Sequence, residues 1–265
     1  MQIAELMEQM ERMQKFLRAA GAAPARVAHV VCPQADARAF VAGLGIEPEY
    51  FEPEFDRCFC ASCYSPDWPD TISNQGPTPY EIPRGWVRFG LKVSPGRAAS
   101  LKIFEEWSVS FHGVKSESVL KSVLDAGGLL KPGDKLLDGT ALQSTKCAGR
   151  QDCVFYTSPT IHYAGLKFYA QPQEWRHGSM RASIALQCRQ RPESFTSQGE
   201  TMRFEQEWPG YLARTCPHVD LDHIEWMSDI NSAVIPYGLL VRVWPTFNYA
   251  DTQVYKSPLD RSTFY

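Results

Sequence analysis

At 265 residues, with 44% hydrophobic and 22% charged side chains, the chain has enough apolar material for a full core and the balance of a folded globular protein. A formal net charge of −3 supplies no global field for nucleic acid or an acidic membrane, leaving only a local basic groove for such partners. Eight cysteines are too few for a disulfide scaffold, no apolar run is long enough to cross a bilayer, and nothing near Met1 resembles a signal peptide. Reduced thiols and a cytoplasmic location are the expectations.

Met1 to Ala20 sets Ile3, Met10 and Leu17 at one heptad position and Leu6, Met13 and Ala20 at another. That spacing predicts a helix with one apolar seam, packed on its own domain or used for self-association. Gly21 to Arg26 reads as a linker, Val27 to Cys32 as a short buried strand, and Ala35 to Leu44 as a helix stopped at Gly45. From Pro48 to Arg84 periodicity gives way to aromatics, prolines and cysteines, a composition that only tertiary packing, a ligand or a metal can order. Within it Cys58, Cys60 and Cys63 form C-x-C-x2-C, three soft ligands where zinc wants four. A fourth would have to arrive through the fold, from His29, Cys147, Cys153, Cys216 or His218. Ordinary thiols without metal are therefore the expectation. Gly85 to Val93 alternates as a strand, and Pro95-Gly96 is the expected boundary between an accessory region, 1–95, and a second domain, 96–265.

Trp107 to Phe111 is short and aromatic and is predicted to be a strand that breaks at His112-Gly113. Ser116 then caps SESVLKSVLDAGG, whose Val119, Leu120, Val123 and Leu124 recur at helical spacing before Gly127 or Gly128 stops the run. Lys131 to Asp152 reads as a long loop beside the His-Gly pair, the kind that usually carries function. In CVFYTSPTIHYAGLKFYA, Val154 to Tyr156 is strand-like, Ser158 is an N-cap candidate, Pro159 suits a first turn, and Ile161 to Tyr169 is expected to continue as helix. Tyr156 and Tyr163 would then flank one pocket. Met180 to Cys188, His223 to Ser228 and Tyr237 to Trp244 complete the strand candidates, with Pro245 as a stop. Many short strands with a few helices imply an α+β fold.

Three of these segments, in this order, resemble the catalytic domain of the His-Tyr-Glu branch of the ADP-ribosyltransferases, shared by diphtheria-toxin-like and poly(ADP-ribose)-polymerase-like enzymes. They are FHG at Phe111 to Gly113, FYTSPTIHYA at Phe155 to Ala164, and HIEWMSDINSAVIPYGLLVRV, in which Glu225 precedes Tyr237 by twelve positions. The overlap covers about Trp107 to Val243, and the pattern is most similar to transferase domains associated with some neuralized-like proteins. The resemblance implies a split antiparallel β-sheet core with flanking helices, NAD as substrate, and mono-ADP-ribosylation of a protein acceptor with release of nicotinamide.

It also implies roles. His112 would hold the adenosine ribose, the Gly113 backbone the nicotinamide amide, and Tyr156 and Tyr163 would sandwich the nicotinamide ring. Thr160 stands where the family places a serine on the same amide, and Phe168 is the alternative to Tyr163 as second stacking ring. Glu225, as an ionised carboxylate, would stabilise the oxocarbenium-like ribose that forms as the glycosidic bond breaks. Two departures stand out. Val114 replaces the small hydroxyl residue that usually follows His-Gly, and the span from Tyr156 to Tyr163 is shorter than in the polymerases. Rival readings are a catalytically silent module that binds NAD or ADP-ribose, an NAD-dependent RNA 2′-phosphotransferase, and a non-enzymatic interaction protein organised by the N-terminal helix and the cysteine-rich segment. His162 and His223 read as structural or surface histidines.

Overall fold

Alternating apolar residues build the strands at the centre of the molecule, in a computed structural model that describes residues 32–74, 79–143 and 154–246. The helix, linker and strand expected before Cys32 lie outside these residues, as do His29, Cys147 and Cys153. The strands are β1 (Arg57–Cys58), β2 (Thr71–Ile72), β3 (Tyr80–Glu81), β4 (Val87–Gly90), β5 (Ser108–Val114), β6 (Phe155–Thr157), β7 (Gln173–Trp175), β8 (Met180–Gln190), β9 (Thr196–Gln198), β10 (Glu225–Ser228) and β11 (Val234–Pro245). The helices that matter here are α1 (Gln34–Gly43), α2 (Pro95–Ser100), α3 (Ile103–Glu106), α4 (Glu117–Ala126) and α5 (Ile161–Ala164). The fold is mixed α+β, and every ladder between described strands is antiparallel.

A six-stranded sheet runs β1-β4-β11-β8-β5, with β7 also on β8, and a three-stranded sheet runs β6-β10-β9. The two-residue period of β8 and β11 divides their side chains between two cores. Ile184, Leu186, Leu239 and Val241 join Phe40 and Val41 of α1 and Leu120, Val123 and Leu124 of α4 on one face. Ala185 and Leu240 join Val109, Phe111, Trp86 and the α5 residues Ile161 and Ala164 on the other. The accessory region expected over 1–95 thus contributes β1 and β4 to the same sheet as the second domain: β4 pairs with β11 from Val87↔Val241 to Gly90↔Gly238. Pro95-Gly96, the expected boundary, begins helix α2.

Three elements differ from the sequence expectation. Strand β5 does not break at His112-Gly113 but continues to Val114, because β8 pairs with it throughout, setting His112 opposite Leu186 and Gly113 opposite Ala185. The helix expected over Ile161 to Tyr169 stops at Ala164. There Gly165 lies so close to Trp86 that an added Cβ would sit 2.7 Å from the indole, and the chain turns away. Its N-cap is Thr160, whose side chain accepts from the His162 N–H, and not Ser158. Helix α4 follows its sequence signals: the Ser116 side chain accepts from the Val119 N–H, and Gly127 ends it in the left-handed conformation.

Candidate active site

A backbone bridge between Phe111 and Ser158 joins the two sheets, which then part. Phe111 N–H donates to the Ser158 carbonyl at 2.7 Å, and Ser158 N–H donates back to the Phe111 carbonyl at 2.9 Å. Beyond this bridge the exposed edge of β5 and the strand β6 enclose a cleft of about 130 Å³. His112, Gly113, Tyr156, Tyr163, Tyr169 and Lys115 all line it, with Val119 and Val123 of α4 closing one wall. Because backbone groups two residues apart in a strand point the same way, Gly113 presents its N–H and C=O on the side where Phe111 meets Ser158. That is a donor-acceptor pair facing the cleft, suited to a planar amide.

Gly113 is required here by space. A Cβ at this position would lie 2.4 Å from the Ala164 carbonyl oxygen and 2.7 Å from both the carbonyl carbon and the Cβ of Tyr169. The close approach brings the turn after α5 against β5, and with it Tyr169. His112 Nδ1 lies 2.8 Å from the Tyr156 carbonyl oxygen. A carbonyl only accepts, so Nδ1 carries the proton and Nε2 is left as an acceptor. Burial pushes the His112 pKa below the ordinary histidine value, only partly opposed by this hydrogen bond, so the ring is neutral at pH 7. Lys115 supplies the cation of the lining, its pKa lowered by burial, with Nζ 5.0 Å from the centre of the Phe168 ring.

Glu225 is wholly buried at the start of β10 and does not line the cleft. It sits behind the tyrosines. Tyr163 Oη donates to its Oε1 at 2.5 Å, Tyr169 Oη lies 3.4 Å from the same oxygen, and the two phenols are 2.8 Å apart. On the other oxygen, Thr201 Oγ1 donates at 2.9 Å and Gln198 Nε2 at 3.3 Å. A carboxylate, which only accepts, matches this ring of donors. Burial, reinforced by Tyr169 and Glu225, raises the Tyr163 pKa; burial and Glu225 raise that of Tyr169, so both phenols stay protonated and able to donate.

Of the residues singled out from sequence, His112, Gly113, Tyr156 and Tyr163 converge on the cleft, and Glu225 is joined to it through Tyr163. Thr160 is elsewhere: it is fully buried, and its hydroxyl donates to the carboxylate of Glu81, which fastens the start of α5. Phe168, the alternative stacking ring, packs with Phe204 and Tyr169 rather than lining the cleft. Val114 is buried in the core, where its apolar side chain has a packing role. Sequence reasoning missed Tyr169, because a helix continued through Ala164 would have carried it away; the early stop at Gly165 turns it back. His162 and His223 do not line the cleft.

Comparison with protein-family models finds none that matches the chain. Among the described residues, no helix is long and apolar enough to cross a membrane. Outside the cleft, among the described residues, Cys58, Cys60 and Cys63 meet Cys32, with all four sulfurs within 4.8 Å of one another.

Proposed function

We propose that the chain is a mono-ADP-ribosyltransferase that cleaves NAD and transfers ADP-ribose to a protein side chain. The observation that carries the reading is the convergence of His112, the Gly113 backbone, Tyr156, Tyr163 and Tyr169 on one cleft, with a buried carboxylate hydrogen-bonded to its wall. The parting of a six-stranded and a three-stranded antiparallel sheet at this cleft supports the split-sheet architecture that the resemblance implies.

In this reading the nicotinamide amide meets the N–H and C=O of Gly113, its ring lies against Tyr156 and the Tyr163-Tyr169 pair, and neutral His112 accepts from a ribose hydroxyl through Nε2. The bond between the ribose C1′ and the nicotinamide nitrogen breaks, its electron pair leaving with nicotinamide. The acceptor side chain forms the new bond to C1′ and loses a proton. Positive charge develops on the ribose between these events, and Glu225 supplies negative charge one hydrogen bond behind the cleft wall, in surroundings where water does not screen it. Lys115 offers a counter-charge for the pyrophosphate. Thr160, committed to Glu81, positions the helix start rather than the ligand.

The complete burial of Glu225 favours one second reading, a module that binds NAD without turning it over. One experiment separates the two. The purified chain is incubated with NAD labelled in its adenylate half, alone and with a cell lysate, beside Glu225→Ala, and covalent label and free nicotinamide are scored. Label or nicotinamide lost with Glu225→Ala supports the transferase. Saturable binding without turnover under any condition supports the silent module, and absence of binding defeats both.

A further inference from the structure

We propose that Cys32, Cys58, Cys60 and Cys63 form a zinc site that fastens the start of helix α1 to the β1–β4 edge of the main sheet. The assignment is independent of the chemistry of the cleft, since none of the four cysteines lines it.

The four sulfurs are close enough together for one ion to be bound by all of them, and two of their separations are those of a tetrahedral tetrathiolate. Zinc holds each sulfur at about 2.3 Å, so the corners of the tetrahedron lie about 3.8 Å apart. Here the sulfur of Cys32 is 3.6 Å from that of Cys58 and 3.7 Å from that of Cys63, and all four fall within 4.8 Å of one another. A disulfide would bring two of them to about 2.05 Å, and these distances do not. Four sulfurs brought together from two stretches 26 residues apart or more are not what core packing of single thiols produces. Cys188 and Cys216 show the ordinary alternative, each buried in an apolar cluster with no second thiol in it.

The backbone around the sulfurs is also arranged as a soft-metal site requires. The chain from Cys60 to Tyr64 makes a tight turn in which Cys63 N–H and Tyr64 N–H donate to the Cys60 carbonyl at 2.9 and 2.8 Å. In that turn the N–H groups of Ser62 and Cys63 approach the Cys60 sulfur, and the N–H of Cys60 approaches that of Cys58. Amide donors aimed at thiolates neutralise part of their charge and fix their orientation, as partners around metal ligands do. Four sulfur ligands with no nitrogen, oxygen or open position define a closed, structural site rather than a catalytic one. Cys60 is buried and Cys63 exposed, which leaves one side open for metal entry.

The segment explains why such a clamp is useful. Between Pro48 and Arg84 the described chain has only short 3-10 turns and two-residue strands, too little to order itself. Its later half is gathered by Arg84, which donates to the carbonyls of Ser65 and Trp68 and lies over the Tyr64 ring. The earlier half has the four sulfurs. Cys58 lies on β1 opposite Val87, and the next residue, Phe59, exchanges backbone hydrogen bonds with Gly85 and Trp86. Trp86 in turn packs on Ile161 and Ala164 of α5, the helix that carries Tyr163.

The test is metal analysis of the full-length chain, purified under reducing conditions from zinc-replete cells. The expected result is about one zinc per chain, as for a single four-ligand site, lost in Cys32→Ser and Cys63→Ser and retained in Cys216→Ala. Should the serine variants fail to fold, the wild-type chain still decides the matter. Replacing zinc by cobalt should give the visible ligand-field bands and sulfur-to-cobalt charge transfer of a tetrahedral tetrathiolate. Chelation should expose new reactive thiols and raise hydrogen exchange around 33–40 and 57–68, leaving α4 protected. The proposal is overturned by a chain that holds no zinc and gives no cobalt spectrum, by zinc retained in Cys32→Ser, by iron found in its place, or by a disulfide among these four cysteines.

Discussion

Tyr163→Phe isolates the link between the cleft and Glu225, because it removes one hydroxyl and keeps the ring. The ring's contacts with Tyr169 and Phe204, at centroid separations of 5.2 and 6.3 Å, are preserved, so the packing change is small. What is lost is the 2.5 Å donor to Glu225 Oε1, together with the 2.8 Å hydrogen bond to Tyr169 Oη; among the described contacts of Glu225 Oε1, Tyr169 at 3.4 Å is left. Glu225 is wholly inaccessible to solvent, so bulk water does not replace the missing donor without rearrangement. A hydrogen bond to a buried charged group is worth about 1.5–3 kcal/mol. For a domain of this size each kcal/mol moves Tm by about 2–4 °C, so the variant should melt about 3–12 °C lower. Urea unfolding at pH 7 should show the same loss with an unchanged dependence on denaturant, since the folded surface is the same. In a double-mutant cycle with Glu225→Gln, the two changes should be strongly non-additive. A Tm within a degree of wild type, or full additivity, would refute the buried tyrosine-carboxylate link.

Three further outcomes follow from the same geometry. Gly113→Ala drives a methyl against the Ala164 carbonyl and the Tyr169 backbone, atoms that cannot swing aside, so it should cost about 1–3 kcal/mol or more in urea unfolding and abolish binding of nicotinamide. Thr160→Val removes the donor to buried Glu81 and should lower stability by about 1–3 kcal/mol, yet leave NAD binding unchanged, as titration calorimetry would show. His162 has its pKa lowered from 6.5 to about 4 by burial first and then by Arg242, so the folded chain resists a proton that the unfolded chain binds. Stability should be complete above about pH 6.5 and fall by about 3 kcal/mol as pH drops toward 4, and His162→Gln should flatten most of that slope.

Local signals were legible where the chain makes its own bonds. Helix α4 carries its cap, its apolar face and its glycine stop within twelve residues, and it forms between those signals. Strand β8 was legible from alternation and β11 from a strongly apolar run, the pattern expected of a strand buried on both faces. His112, Gly113, Tyr156 and Tyr163 were legible as a constellation through motif order. What could not be read depends on partners far along the chain. Strand β5 passes through His112-Gly113 because β8, about 75 residues later, pairs with it, whereas local propensity sees only a glycine. Tyr169 reaches the cleft because the helix stops at Ala164, where Gly165 packs against Trp86 too closely for any side chain. Cys32 joins Cys58 from 26 residues upstream, a separation that matches no short metal-ligand spacing. The burial of Glu225 is equally invisible in sequence, since Thr201 and Gln198 reach it from a separate loop and strand.

The central claim is that this cleft holds NAD by its nicotinamide end, and saturation-transfer NMR tests it most directly. With the full chain and a molar excess of NAD, saturating the protein's aromatic protons should transfer most strongly to the nicotinamide ring protons. Tyr156→Ala should abolish that transfer, whereas Phe168→Ala, outside the cleft, should leave it in place. Transfer to no NAD proton, or transfer to nicotinamide that survives Tyr156→Ala unchanged, would contradict the account.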